Sequence, residues 1–280
     1  MGYLSFWTFL MVSLRLYLYF CSMKLIEDIN RHRKGIYVLQ HELEAMVPQH
    51  KHLQGHILVV LSGVATVNVE RSAYYIPYGY FVWIPPEKSH RISFEDKKIK
   101  LLNVYYPAEF ADCAFYQEVG VYPMPSILYH VIELFQGTTE EYLPGNWRHE
   151  LLVTTLHILP HIVPAQRFQL RLPTSDHPII HKVVEKIQKE YQQDLTAQYV
   201  AEECGLSVRT LSRYLRSELD VSFVQYVRTY RILMAIKKMV KAEDSITNIA
   251  YSVGYDSLTA FSNSFYKVTG SRPSQFRQTF

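Results

Sequence analysis

Between residues 201 and 276 one short pattern is written twice. Ala201-x3-Gly205 followed by Leu211-x3-Leu215 returns as Ala250-x3-Gly254 followed by Phe261-x3-Phe265, and Gln225-Tyr226 is answered by Gln275-Phe276. A small residue, a glycine and two apolar anchors at matched offsets restrict this part of the chain to two similar helix–turn–helix units. In the first, Thr196 can cap a helix over Ala197–Cys204, Gly205 turns the chain, and Ser207 caps a helix burying Leu211, Tyr214 and Leu215. In the second, Ser245 caps Ile246–Val253, Gly254 turns, and Asp256 or Ser257 caps the helix that buries Phe261 and Phe265. A long helix from Ser222 to Val240 joins them, with Tyr226, Tyr230, Leu233, Ile236 and Val240 as its apolar stripe. Its length of roughly 28 Å is close to the ~34 Å between successive major grooves on one face of B-DNA.

The exposed faces of the two copies differ. The first offers Val208, Arg209, Ser212, Arg213 and Arg216. Arginine can fork onto guanine and serine can reach a base or a phosphate, so this face suits a recognition helix; a solvated basic face is the alternative. The second offers Leu258, Thr259, Ser262, Asn263 and Tyr266, polar but uncharged, and is expected to bind more weakly or to read adenine through Asn263. Arg216, Arg228 and Lys267 are expected on phosphates. The net charge is only +3, but from Pro178 onward 14 basic residues face 10 acidic ones, against 15 and 16 in residues 1–177. The excess lies with the repeat, as nucleic-acid contact requires.

With these residues placed, residues 195–277 resemble the DNA-binding domain of the AraC family of bacterial transcription regulators. Ile249-Ala250-x3-Gly254-Tyr255, then Phe261-x-Asn263-x-Phe265-Tyr266-Lys267-x2-Gly270-x2-Pro273-x2-Phe276-Arg277, follow the family's closing pattern. Asn263 stands where the family usually has Arg, Tyr266 for the first Lys, and Ala260 for a common Ser. The resemblance assigns DNA contact to Arg209, Ser212 and Arg213 in the first copy and to Thr259, Ser262 and Asn263 in the second. It also implies double-stranded promoter DNA, RNA polymerase and a small-molecule effector as partners, and a non-enzymatic role; a homodimer is a further expectation.

The first half reads differently. Ile36–Gln40, Ile57–Leu61, Ala65–Val69, Tyr80–Ile84, Arg91–Phe94 and Lys100–Tyr105 favour short strands, which implies a sandwich or barrel. Helices are expected near Ser126–Phe135 and Trp147–Leu159, where dimerisation is placed. His50-x-His52-x3-His56-x6-Gly63, then Gly79-x5-Pro85-x-Glu87-x2-His90, resemble the two cupin motifs, in which two His, a Glu and a further His hold a metal inside a small barrel. Here His56 takes the Glu position and Glu87 a usual Gly. His50 and His52, two apart on one strand, face one side. With His90 they make a three-imidazole set for a divalent metal, or they line a ligand pocket with Tyr37, Trp83 and Tyr105. His157 and His161 form a weaker pair, read as surface or core.

The expected plan is an α+β chain of two domains: a cupin-like barrel with accessory helices over 23–163, a linker over 164–177, and an all-α double helix–turn–helix domain over 178–280. Residues 1–22 form an apolar leader: a mis-set start before Met23, a membrane anchor, or packed structure. Cys21, Cys113 and Cys204 show no disulfide or zinc spacing, which suits a reducing, cytoplasmic setting. The reading is an effector-responsive, sequence-specific activator. The alternatives are a metal-binding cupin enzyme fused to a DNA-binding module, and a membrane-anchored regulator.

Overall fold

The computed structural model describes residues 26–32, 34–43, 46–95, 98–111, 113–163, 170–240 and 244–278. The leader, Met23 and residues 164–169 of the expected linker lie outside them. Among the described residues no helix is long and apolar enough to cross a membrane.

Residues 26–31 are helical (α1). Among the described residues eleven strands follow: β1 (Ile36–Leu43), β2 (Val47–His50), β3 (Gly55–Val60), β4 (Val64–Val69), β5 (Ser72–Pro77), β6 (Tyr80–Ile84), β7 (His90–Phe94), β8 (Ile99–Tyr106), β9 (Gly120–Pro123), β10 (Thr139–Tyr142) and β11 (Arg171–Pro173). The six expected strands are all present, within a residue or two except β1, which runs three residues further. They form two antiparallel sheets, ordered β10-β1-β8-β3-β6-β9 and β11-β5-β4-β7-β2. Sheet parity sorts the side chains. Leu58, Val82, Ile84 and Leu101 pack with Val67 and Ile92 of the other sheet, so they fill the barrel. Ile57, Phe81, Trp83 and Tyr106 point the other way, under α2 (Ser126–Glu133) and α3 (Trp147–Ile162).

Helix α3 runs past the expected end and holds Pro160 in its last turns. A proline there deprives the carbonyl of Leu156 of its helical donor. The Tyr116 hydroxyl donates to that carbonyl instead, so the acceptor is not left without a partner.

The helical module is α4 (Pro178–Glu190), α5 (Ala197–Glu203), α6 (Val208–Leu219), α7 (Phe223–Val240), α8 (Ile246–Ser252), α9 (Leu258–Thr269) and α10 (Pro273–Arg277). Both copies of the repeat start their helices alike. Thr196, Ser207, Ser245 and Ser257 accept from Tyr199, Thr210, Asn248 and Ala260 backbone N–H at 3.1–3.2 Å. Ser222 caps α7 rather than opening it, because it exchanges bonds with Gln225 in a capping box. Helix α7 is buried on more than one side, through Phe223, Tyr226, Ile232, Leu233, Ile236 and Met239, and so acts as the spine of the module. Tyr230 and Val240 of the expected stripe are half-buried.

Arg231 on that spine ties the two copies together. Its Nε donates to the Tyr191 carbonyl at 2.8 Å and its Nη2 to that of Gln193 at 2.7 Å, while the guanidinium lies 5.7 Å from the Tyr255 ring centre. Arg231→Ala strips partners from two carbonyls and is expected to cost about 1–2 kcal/mol. Denaturant unfolding reads this directly, and an unmoved midpoint would remove Arg231 from the account.

The module also docks on the barrel. The Tyr80 hydroxyl donates to the Thr269 carbonyl at 3.4 Å, and the Tyr80 ring lies 5.5 Å from that of Phe276. Lys237 pairs with Glu95 and sits 5.4 Å from the centre of the Tyr75 ring. Strand β11, within the expected linker, pairs with the edge of β5.

Candidate functional site

Helix α6 buries Leu211, Leu215 and Leu219 and leaves Arg209, Ser212, Arg213 and Arg216 exposed on the other side. The Arg213 guanidinium lies 5.5 Å from the centre of the Tyr214 ring, which steadies it without consuming its donors. Helix α9 buries Phe261 and Phe265 and exposes Thr259, Asn263 and Lys267, with Ser262 half-buried.

Arg272 joins this face without a clear mark in the sequence. This exposed side chain reaches back from the turn before α10 and donates through Nη1 to Ser262 Oγ at 3.3 Å and Asn263 Oδ1 at 3.1 Å. Its guanidinium lies 5.0 Å from the centre of the Tyr266 ring. A cation is thereby returned to the face where Asn263 stands in place of Arg. Only its position two residues after Gly270 hinted at this, since a chain reversing there can fold back on α9.

Inside the barrel four histidines meet. His50 and His90 are register partners on β2 and β7, with ring centres 4.2 Å apart; His52 lies 5.0 Å from His90 and 5.3 Å from His56. His52 is not on the strand, as its spacing from His50 suggested: β2 ends at His50, and the following loop turns His52 inward. That loop is anchored by the Glu87 backbone N–H, which donates to the His52 carbonyl at 2.9 Å. Glu87 has φ 62°, the left-handed conformation that explains why a glycine is usual at this point of the motif.

Each of three imidazoles is oriented by a backbone carbonyl. His50 Nδ1 lies 2.8 Å from the Pro48 oxygen, His52 Nδ1 2.9 Å from that of Gln54, and His90 Nδ1 2.9 Å from that of Lys88. A carbonyl only accepts, so Nδ1 carries the proton and Nε2 the lone pair. His56 differs: its Nε2 bonds Asn103 Oδ1 at 2.9 Å, and Asn103 donates in turn to the Leu39 carbonyl at 3.2 Å. Burial lowers all four pKa values, to about 4 for His52 and about 2 for His90, and the neighbouring imidazoles lower those of His52, His56 and His90 further. The set is therefore uncharged near neutral pH.

The aromatic companions divide. Tyr105 stacks on His56 at 4.4 Å, and Tyr37 stacks on Tyr105 at 6.1 Å while donating its hydroxyl to Asp28 of α1 at 3.0 Å. Trp83 is not brought to this group. It lies on the outer face of its sheet, where its Nε1 donates to the Tyr116 carbonyl at 2.8 Å. His157 and His161 are exposed on α3.

A separate cavity of about 550 Å³ lies at the seam of barrel and helical module. Tyr74 and Glu70, Arg171 of β11, and Gln225, Tyr226 and Thr229 of α7 are among its walls.

A β-barrel with a histidine cluster inside it, carried ahead of two helix–turn–helix units on one spine, is the architecture of a ligand-responsive DNA-binding transcription regulator. Residues 36–118 match the family model of the AraC-like ligand binding domain, and residues 200–279 match that of a helix-turn-helix domain, together more than half of the chain. The chain belongs to the AraC family of transcription regulators. It is 28% identical over 233 residues to the HTH-type transcriptional regulator NimR of Escherichia coli (strain K12), covering 83% of each chain. It is 25% identical over 252 residues to the HTH-type transcriptional activator RhaS of Escherichia coli O139:H28, covering 84% of this chain and 89% of that one. Among solved structures, ToxT from Vibrio cholerae aligns at 15% identity and a TM-score of 0.38, over 88% of this chain and 99% of that one.

Proposed function

We propose that the chain activates transcription by laying α6 and α9 in successive major grooves of promoter DNA. Arg209, Ser212 and Arg213 read bases in one groove; Thr259, Ser262 and Asn263, with Arg272 beside them, occupy the next. Arg216, Arg228 and Lys267 contact phosphates. The observation that carries this reading is the pair of identically capped helices, each burying its apolar stripe and turning its polar face outward. RhaS bears the name of an activator, which supports activation and contact with RNA polymerase.

The sensing unit spans 23–163, the connection 164–177 and the DNA-binding unit 178–280. The seam cavity touches both units, so an occupant would favour one arrangement of the two over another. Exposed Ile127, Tyr129, Leu134 and Trp147 on and beside α2 and α3 support a homodimer formed through these helices. The protein acts on DNA in the cytoplasm and is not an enzyme.

The role of Arg272 has its own test. Arg272→Ala is expected to weaken operator binding by about 1–3 kcal/mol and leave the fold intact, because the side chain is exposed. Fluorescence anisotropy on a selected operator measures it. Wild-type affinity in the variant would return the second helix to its uncharged reading.

A further inference from the structure

The barrel histidines are arranged as a ligand set. Three separate backbone carbonyls, of Pro48, Gln54 and Lys88, hold the Nδ1 protons of His50, His52 and His90, which leaves three Nε2 lone pairs as free donors. His52 Nε2 and His90 Nε2 are buried without a hydrogen-bond partner among the described residues. Such an orphan is costly to bury, and two of them side by side in one packed barrel ask for a shared partner. The ligand atoms that His50, His52 and His90 offer all lie within 4.8 Å of one another.

We propose that His50, His52 and His90 form a binding site for a divalent first-row transition ion. Nitrogens around a tetrahedral ion at ~2.0–2.1 Å are roughly 3.3 Å apart, so with all separations within 4.8 Å no pair need close by more than about 1.5 Å, within the reach of imidazole rotation on β2, its following loop and β7. The donor set contains no carboxylate, and Glu87 turns outward to Lys51 at 2.7 Å. Three neutral imidazoles select Zn²⁺, Co²⁺, Ni²⁺ or Cu²⁺ over Mg²⁺ and Ca²⁺. His56 stays outside the set: Asn103 holds its Nε2, and its Nδ1, also buried without a partner among the described residues, does not join the three ligand atoms that lie within 4.8 Å of one another. The site is independent of the DNA-reading helices, so its failure would leave the proposed function standing.

The test uses the full chain, treated with chelator and dialysed against Zn²⁺ or Co²⁺. Expected are one ion per chain by elemental analysis, visible Co²⁺ absorption bands, and a melting temperature that rises with the metal because the ion binds the folded state. His52→Gln and His90→Gln should each weaken uptake by more than the roughly 10–100-fold carried by outer-shell partners, with unchanged far-UV circular dichroism confirming the fold. The His157→Ala/His161→Ala double variant should bind as wild type. Absence of stoichiometric uptake overturns the proposal, with water left as the partner of the orphan nitrogens. So does uptake that survives both glutamine variants and falls in the double variant, which would make the ion an adventitious surface binder. Should the glutamine variants fail to fold, the Co²⁺ spectrum of the wild type decides. Bands of an imidazole-ligated ion at one equivalent support the site, and the spectrum of the hydrated ion alone rejects it.

Discussion

Alanine at both Arg209 and Arg213 is expected to cost about 2–6 kcal/mol of operator affinity, summing 1–3 kcal/mol for each base contact. The two side chains are exposed on α6, and the helix is held by Leu211, Leu215 and Leu219 beneath them, so stability should not follow affinity down. The dependence on sequence and salt separates three roles. Base-reading arginines lose affinity for the operator while binding to unrelated DNA changes little. Phosphate-binding arginines would lose both alike and would flatten the log–log salt slope by about 0.9 each. A merely solvated face would lose neither. The first outcome is expected, from anisotropy titrations at several salt concentrations on operator and scrambled duplexes. A uniform loss with a flattened slope would move these residues to the backbone.

The second large effect distinguishes the two copies of the repeat through their matched glycines. Gly205 has φ 74° and Gly254 φ 88°, a backbone that L side chains rarely adopt. A Cβ on Gly205 would meet nothing within 4 Å, so Gly205→Ala should cost only the strain, about 1–2 kcal/mol. A Cβ on Gly254 would stand 2.8 Å from the Tyr191 carbonyl oxygen, 2.9 Å from that of Gln192 and 2.9 Å from Arg231 Nη2. Two of these are backbone atoms, and Arg231 is itself bonded to Tyr191 and Gln193, so nothing there yields cheaply. Gly254→Ala is expected to exceed Gly205→Ala by about 1–3 kcal/mol, the price of overpacking a fixed contact. Denaturant midpoints of the two variants decide it. Equal losses would show that the second turn is not wedged against the α4–α5 loop.

The helical half was legible because its signals are local. Capping hydroxyls at Thr196, Ser207, Ser245 and Ser257 and apolar anchors four residues apart decide a helix within one or two turns. The barrel was legible in outline but not in parity. Every residue of β3 and β6 is buried, so no alternation marks which side faces in, and only the register of β3 with β8 and of β6 with β3 turns His56 inward and Trp83 outward. The same loss of pattern misplaced His52, whose spacing from His50 suits a strand that stops one pair too early. Arg272 was invisible for another reason, since its contacts with Ser262 and Asn263 span ten and nine residues across a turn.

The central claim is that both helices of the repeat read DNA from one spine. Methylation interference on an operator selected from random duplexes tests it most directly. Two clusters of interfering bases are expected on one face, about one helical turn apart, with Arg209→Ala/Arg213→Ala erasing one cluster and Arg272→Ala weakening the other. A single cluster, or two clusters that neither variant alters, would contradict it.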